Sequence, residues 1–177
     1  MTRFINLLTV TRILLAPIIL LFLIFGEYLL CISLFLLAGM SDYFDGYLAR
    51  KYNAESQLGE ILDPIADKIL VVFILIGLSV NLHSYLMAVM SSLIISREIG
   101  IAALRDYAAR NEMSHKTKVT FLAKSKTALQ LFTIMLYLIA LSFNLNLLIL
   151  IGDISLIAAT LITLYTGYDY TNNIFTK

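Results

Sequence analysis

Apolar residues dominate six stretches of this chain, at about 4–25, 28–50, 59–80, 84–109, 118–143 and 146–171. Between them lie short polar breaks: Gly26-Glu27, residues 51–58, Asn81-Leu82-His83, residues 110–117, and Asn144-Leu145-Asn146. Each stretch is close to the roughly 20 residues, with a range of about 17–25, that a helix needs to cross the hydrocarbon core of a bilayer. The pattern predicts an all-α, polytopic membrane protein with six transmembrane helices in a single domain over residues 1–177. No repeat, low-complexity tract or flexible linker interrupts it. The first stretch contains Arg12 and is followed by no small-residue cleavage site, so it reads as a membrane helix rather than a removed signal peptide.

Composition agrees with that reading. The chain is 60% hydrophobic and 14% charged, whereas a soluble domain carries about 45–50% apolar and about 25% charged residues. Its single cysteine, Cys31, excludes an intramolecular disulfide and a thiolate metal site. A net charge of +1 implies no nucleic-acid partner. The placement of the charge says more than its sum. With six spans, all 13 Lys and Arg residues fall towards one face, and the connections near 26–27, 81–83 and 144–146 hold none. By the positive-inside rule that face is cytoplasmic, and both termini lie there.

Four aspartates then stand out. Asp42, Asp45, Asp63 and Asp67 sit in a pattern D-x2-D-G-x2-A-R-x8-G-x3-D-x3-D, whose other fixed positions are Gly46, Ala49, Arg50 and Gly59. At 1.5 Å per residue, Asp42 is about 21 Å along the second stretch, in the cytoplasmic third of the membrane. Asp42 and Asp45 are i, i+3, and Asp63 and Asp67 are i, i+4, so each pair shares a helix face. Unpaired carboxylates in lipid are expensive. Four readings are open on the residues alone: a cation or proton pathway, a structural ion-pair network with Arg50 and Lys68, a metal site holding a prenyl diphosphate, or a divalent-metal site for displacement at a phosphorus atom. Gly46 admits a close ligand, and Arg50 can grip a diphosphate through paired hydrogen bonds. Gly59 permits a tight helix entry, and Pro64 suits an early helical turn. Lys68 follows Asp67 directly and is expected to snorkel away from it.

The pattern resembles the signature of the CDP-alcohol phosphatidyltransferase family, matched at all eight positions over 26 residues. The resemblance implies an enzyme that moves a phosphatidyl group from CDP-diacylglycerol to an alcohol. It implies that Asp42, Asp45, Asp63 and Asp67 bind two Mg²⁺ or Mn²⁺ ions, with Asp67 as general base. It assigns the CDP moiety to Asp42, Gly46, Arg50 and Ser56. Asn6, Thr9 and Arg12 match the family's N-x2-T-x2-R element bordering the nucleotide pocket, which adds Asn6 and Thr9 to that set. It further implies a homodimer and a bacterial inner membrane, with the site facing the cytoplasm.

The second half bears on the acceptor. Arg97 and Arg105 are eight residues apart, within about 80° on a helix, and Lys124 and Lys126 begin the next stretch at the same membrane face. Together they form a basic pocket suited to a phosphate on the acceptor, and Glu98 stands ready to pair with an arginine. These segments resemble the R-E-I…L-R and G-K-x-K-T stretches of family members whose acceptor is glycerol 3-phosphate, with Ala123 in place of the glycine. Inositol phosphate, serine and phosphatidylglycerol are the alternative acceptors.

Overall fold

A computed structural model describes residues 2–52, 57–111 and 121–175, with the side chains of 2–5, 48–50, 57–58, 60 and 121–124 outside the description. The six expected helices are present: α1 (Thr2–Ile24), α2 (Tyr28–Tyr52), α3 (Gln57–Asn81), α4 (Tyr85–Arg110), α5 (Phe121–Phe143) and α6 (Asn146–Phe175). Five of them, all but α3, are long and apolar enough to cross a membrane. The chain is an integral membrane protein. The exception, α3, carries Asp63, Asp67 and Lys68 in its first half and packs against both α1 and α4.

The helices form three hairpins joined by tight turns, each with one residue in the left-handed region: Gly26 (φ 79°), His83 (φ 46°) and Asn144 (φ 52°). At the first turn the Glu27 amide donates to the Phe22 carbonyl and the Gly26 amide to Leu23, the paired bonds that close a helix C-terminus on a left-handed residue. The Leu145 amide reaches back to Ala140 in the same way. Ser84 starts α4 by accepting from the Met87 amide at 3.2 Å. Asn81 ties two hairpins together, donating to the Leu23 carbonyl and accepting from the Tyr28 hydroxyl, each at 3.0 Å.

Contacts run from α1 to α2, α5, α6, α4, α3 and back to α1, so the six helices close a ring. Ala16, Ile19, Leu23, Ile74 and Leu78 fill the α1–α3 side of the core with no or almost no exposure. The α5–α6 side is held by polar pairs as well as packing. Gln130 donates to Thr163 at 3.1 Å, the Thr133 and Ser155 hydroxyls meet at 2.6 Å, and Tyr137 donates to Asp153 at 2.6 Å. In an apolar surround such groups have little else to bond to, so the ladder fixes the rotation of α6 against α5.

Three expectations are corrected. Pro64 does not sit in an early turn: α3 begins at Gln57, so the proline is inside the helix and leaves the carbonyl four residues earlier without its usual partner. Gly59 likewise lies within the first turn of α3 rather than at its entry. Helix α6 also continues four residues past its apolar run, to Phe175. At 1.5 Å per residue its 30 residues span about 45 Å, longer than the roughly 30 Å hydrocarbon core.

Gly152 is the point where the ladder is tightest, because an added Cβ would lie 3.0 Å from Cε1 of the buried Tyr137 ring. Gly152→Val is expected to displace that ring and destabilise the bundle by about 1–3 kcal/mol. Thermal unfolding in detergent measures this, and an unchanged midpoint would show that α5 and α6 have slack there.

Candidate active site

Residues 4–15 of α1 are apolar apart from Asn6, Thr9, Thr11 and Arg12, and Thr9 and Arg12 are i, i+3 on one helix face. Both are buried, with Arg12 only 1% exposed. The Arg12 guanidinium is the meeting point of three helices. Its Nη1 donates to Asp42 Oδ1 and Asp67 Oδ1, and its Nη2 to Asp45 Oδ2, each at 2.5 Å. One turn earlier, Thr9 donates to Asp63 Oδ1 at 2.8 Å. The two aspartate pairs therefore do face each other, as their spacing predicts, but they do so across α1.

The carboxylates are not equivalent. Asp45 is buried with its oxygen on Arg12, whereas the side chains of Asp42 and Asp67 are 48% and 52% exposed. Asp42 and Asp67 line a cavity of about 910 Å³ inside the ring, to which all six helices contribute. Gly46 is half-buried on α2 just past Asp45, and Asn6 is half-buried on α1 one turn before Thr9. Ser56 lies outside the described residues, as do the side chains of Arg50 and Lys124.

The basic residues expected on α4 and α5 reach the same cavity, with Arg97, Arg105 and Lys126 all lining it. Arg97 and Lys126 both bond to Glu98 Oε1, Arg97 at 3.1 Å, and Arg97 Nη2 also donates to Thr166 on α6 at 3.0 Å. Arg97 runs so close to α6 that a Cβ at Gly167 would stand 3.0 Å from its Cγ and Nε. The guanidinium thus reaches Thr166 only because position 167 has no side chain. An acidic wall on α2 and α3 and a basic wall on α4 and α5 share one chamber, with apolar lining such as Phe35, Leu70 and Ile94 between.

Several residues gain parts that the sequence reading did not give them. Lys68, expected to point away, lines the cavity. Glu98 binds two cations rather than one. Thr166, Asp169 and Asn173 bring the last turns of α6 to the chamber. Arg12 moves from a border residue to the centre. The available signal was a lone cation inside an apolar span, which is a functional-site indication in itself.

The donor set suits a hard divalent cation. It is made of carboxylate oxygens, with no thiolate or imidazole among them, and one guanidinium leaves most of the negative charge of four aspartates uncompensated. Among the described residues Arg12 stands between the carboxylates, and no three acidic side chains gather closely enough by themselves to hold an ion.

Comparison with known proteins points the same way. A model of the CDP-alcohol phosphatidyltransferase family matches residues 4–165. A Blochmanniella floridana protein named CDP-diacylglycerol--glycerol-3-phosphate 3-phosphatidyltransferase is 42% identical over 148 residues, 83% of this chain and 76% of its own. A Rickettsia bellii (strain RML369-C) protein of the same name is 40% identical over 169 residues, 93% of this chain and 91% of its own. Another of that name, from Pectobacterium atrosepticum, is 34% identical over 145 residues, 81% and 78% of the two chains.

Glu98 carries a clear expectation. Its removal leaves Arg97 and Lys126, whose side chains are 8% and 9% exposed, without their shared counter-charge. Glu98→Leu is expected to destabilise the protein by about 3–5 kcal/mol. Thermal unfolding at fixed detergent concentration tests it, and a wild-type midpoint would mean that the two cations reach water.

Proposed function

The chain belongs to the CDP-alcohol phosphatidyltransferase family, and we propose that it transfers the phosphatidyl group of CDP-diacylglycerol to glycerol 3-phosphate, giving phosphatidylglycerophosphate and CMP. It is a membrane-embedded transferase of phospholipid biosynthesis. The observation that carries the reading is the single chamber that Asp42 and Asp67 share with Arg97, Arg105 and Lys126. A lipid diphosphate and a phosphorylated alcohol are both anions, and each has its own wall there.

The family is divalent-metal dependent. Asp42, Asp45, Asp63 and Asp67 are the residues to hold two ions, Mg²⁺ or Mn²⁺. Bound there, the ions would neutralise the diphosphate and the leaving CMP. The protein's own part is positioning and charge. The CDP moiety is assigned to Asp42 and Gly46 on α2, to Arg50 and Ser56 beyond them, and to Asn6 and Thr9 on α1. The acceptor phosphate is assigned to Arg97, Arg105, Lys124 and Lys126. Glu98 and Thr166 hold Arg97 in place, and Glu98 also holds Lys126. Asp67, half exposed to the chamber, takes the proton from the primary hydroxyl of glycerol 3-phosphate. That oxygen then forms its bond to the phosphorus bearing the diacylglycerol, and the bond to CMP breaks. Catalysis of this kind rests on placement and electrostatics rather than on a covalent enzyme intermediate.

The distribution of Lys and Arg supports a site that faces the cytoplasm, with both termini on that side. The bacterial relatives support the inner membrane. A homodimer rests on the family resemblance alone.

Purified protein given CDP-diacylglycerol, Mg²⁺ and glycerol 3-phosphate is expected to release CMP. No CMP with any acceptor overturns the reaction, and CMP with inositol phosphate but not glycerol 3-phosphate overturns the acceptor. Asp67→Asn is expected to fold and to lose at least about 100-fold in kcat, in the range typical of a lost general base; near-normal turnover removes Asp67 from that role. Arg105→Ala is expected to raise the KM for glycerol 3-phosphate about tenfold or more while leaving that for CDP-diacylglycerol nearly unchanged, since charged contacts to phosphate are strong. Equal effects on both would count against the acceptor wall.

A further inference from the structure

We infer that Arg12 is the resident counter-cation of the aspartate cluster, and that a divalent ion loads by exchange with it. The inference rests on the proposed metal chemistry of this site and concerns what this chain's own residue does there. Three of the four aspartates each commit an oxygen to one guanidinium, at 2.5 Å. The contacts come from two helices besides its own, and the arginine is 1% exposed. Among the described residues, no three acidic side chains gather closely enough to hold an ion by themselves.

Two cations cannot share that position. A doubly charged ion among the same carboxylates would sit a few Å from a guanidinium in a layer of low dielectric, where like charges repel strongly. Arginine cannot relieve the repulsion by releasing its proton, because it remains charged under all accessible conditions. It has to move. The direction is also defined, because Arg12 itself lines the chamber in which the anionic substrates are proposed to bind. Displaced there, the guanidinium sits opposite phosphate rather than carboxylate. Ion loading and anion binding then favour each other, and by linkage the coupling runs equally in both directions.

The arrangement also answers a folding problem. Four carboxylates enter an apolar bundle during assembly, and a partner carried in the chain is present whether or not ions are at hand. The consequence is a trade: the ion binds more weakly than the carboxylates alone would hold it.

The test is Mn²⁺ binding to chelator-treated protein in detergent, followed by the electron paramagnetic resonance of free Mn²⁺ and by thermal unfolding with and without the ion. Arg12→Gln is expected to bind Mn²⁺ at least about tenfold more tightly than wild type, a modest share of what losing a buried ion-pair partner does. Its ion-free unfolding midpoint should fall by several degrees, and Mn²⁺ should restore more of that stability than it adds to wild type. Arg12→Lys keeps one charge but lacks the forked donors, and is expected to fall between the two; it serves alone if Arg12→Gln does not fold. Equal or weaker Mn²⁺ binding by the variants overturns exchange while leaving the proposed reaction standing. Failure of wild type and variants alike to bind Mn²⁺ overturns exchange together with the metal chemistry it rests on.

Discussion

Everything in this fold is arranged around a charge that lipid will not tolerate. One guanidinium, buried in the first helix, donates to the carboxylates of Asp42, Asp45 and Asp67 on the second and third. Breaking such a buried pair costs about 3–5 kcal/mol, comparable to a large part of a domain's net stability. The depth and rotation of α1, α2 and α3 follow from it, since each must bring a named atom to the same point. The Thr9–Asp63 bond one turn away fixes the remaining rotation of α3 against α1.

The other three helices obey the same rule with the signs reversed. Arg97 and Lys126 are buried cations, and Glu98 answers both. Thr166 anchors Arg97 to α6, and the bare backbone at Gly167 leaves it a path. The chamber between the two clusters is therefore walled by charges only partly matched inside the protein, one guanidinium for the aspartates and one carboxylate for Arg97 and Lys126. The excess negative charge of one wall and the excess positive charge of the other favour strongly anionic ligands that bring or recruit cations.

Much of this was legible in the sequence because membranes simplify the code. Long apolar runs and one-sided basic residues predict six helices, and helical spacing puts Asp42 with Asp45 and Asp63 with Asp67 without any tertiary information. What the spacing cannot express is which helix the pairs meet across. Arg12 lies 30 residues before Asp42, and only the docking of α1 makes it their partner. For Lys68, adjacency to Asp67 on a helix says that the two side chains diverge, not that one of them leaves a wide chamber. Glu98 was seen beside Arg97, but Lys126 reaches it from another helix. The apolar pattern stops at 171 because Asn172 and Asn173 are too polar for lipid, although polarity ends a membrane span and not a helix.

A chamber lined by all six helices belongs to no smaller part of the bundle. Its last wall carries Asp169, Tyr170 and Asn173 on α6. The acidic corner on α1, α2 and α3 and the basic residues of α4 and α5 do not enclose the space without that helix. Binding and bundle integrity are therefore one property, and a change that loosens α6 from its neighbours opens the chamber even where it touches no charged residue.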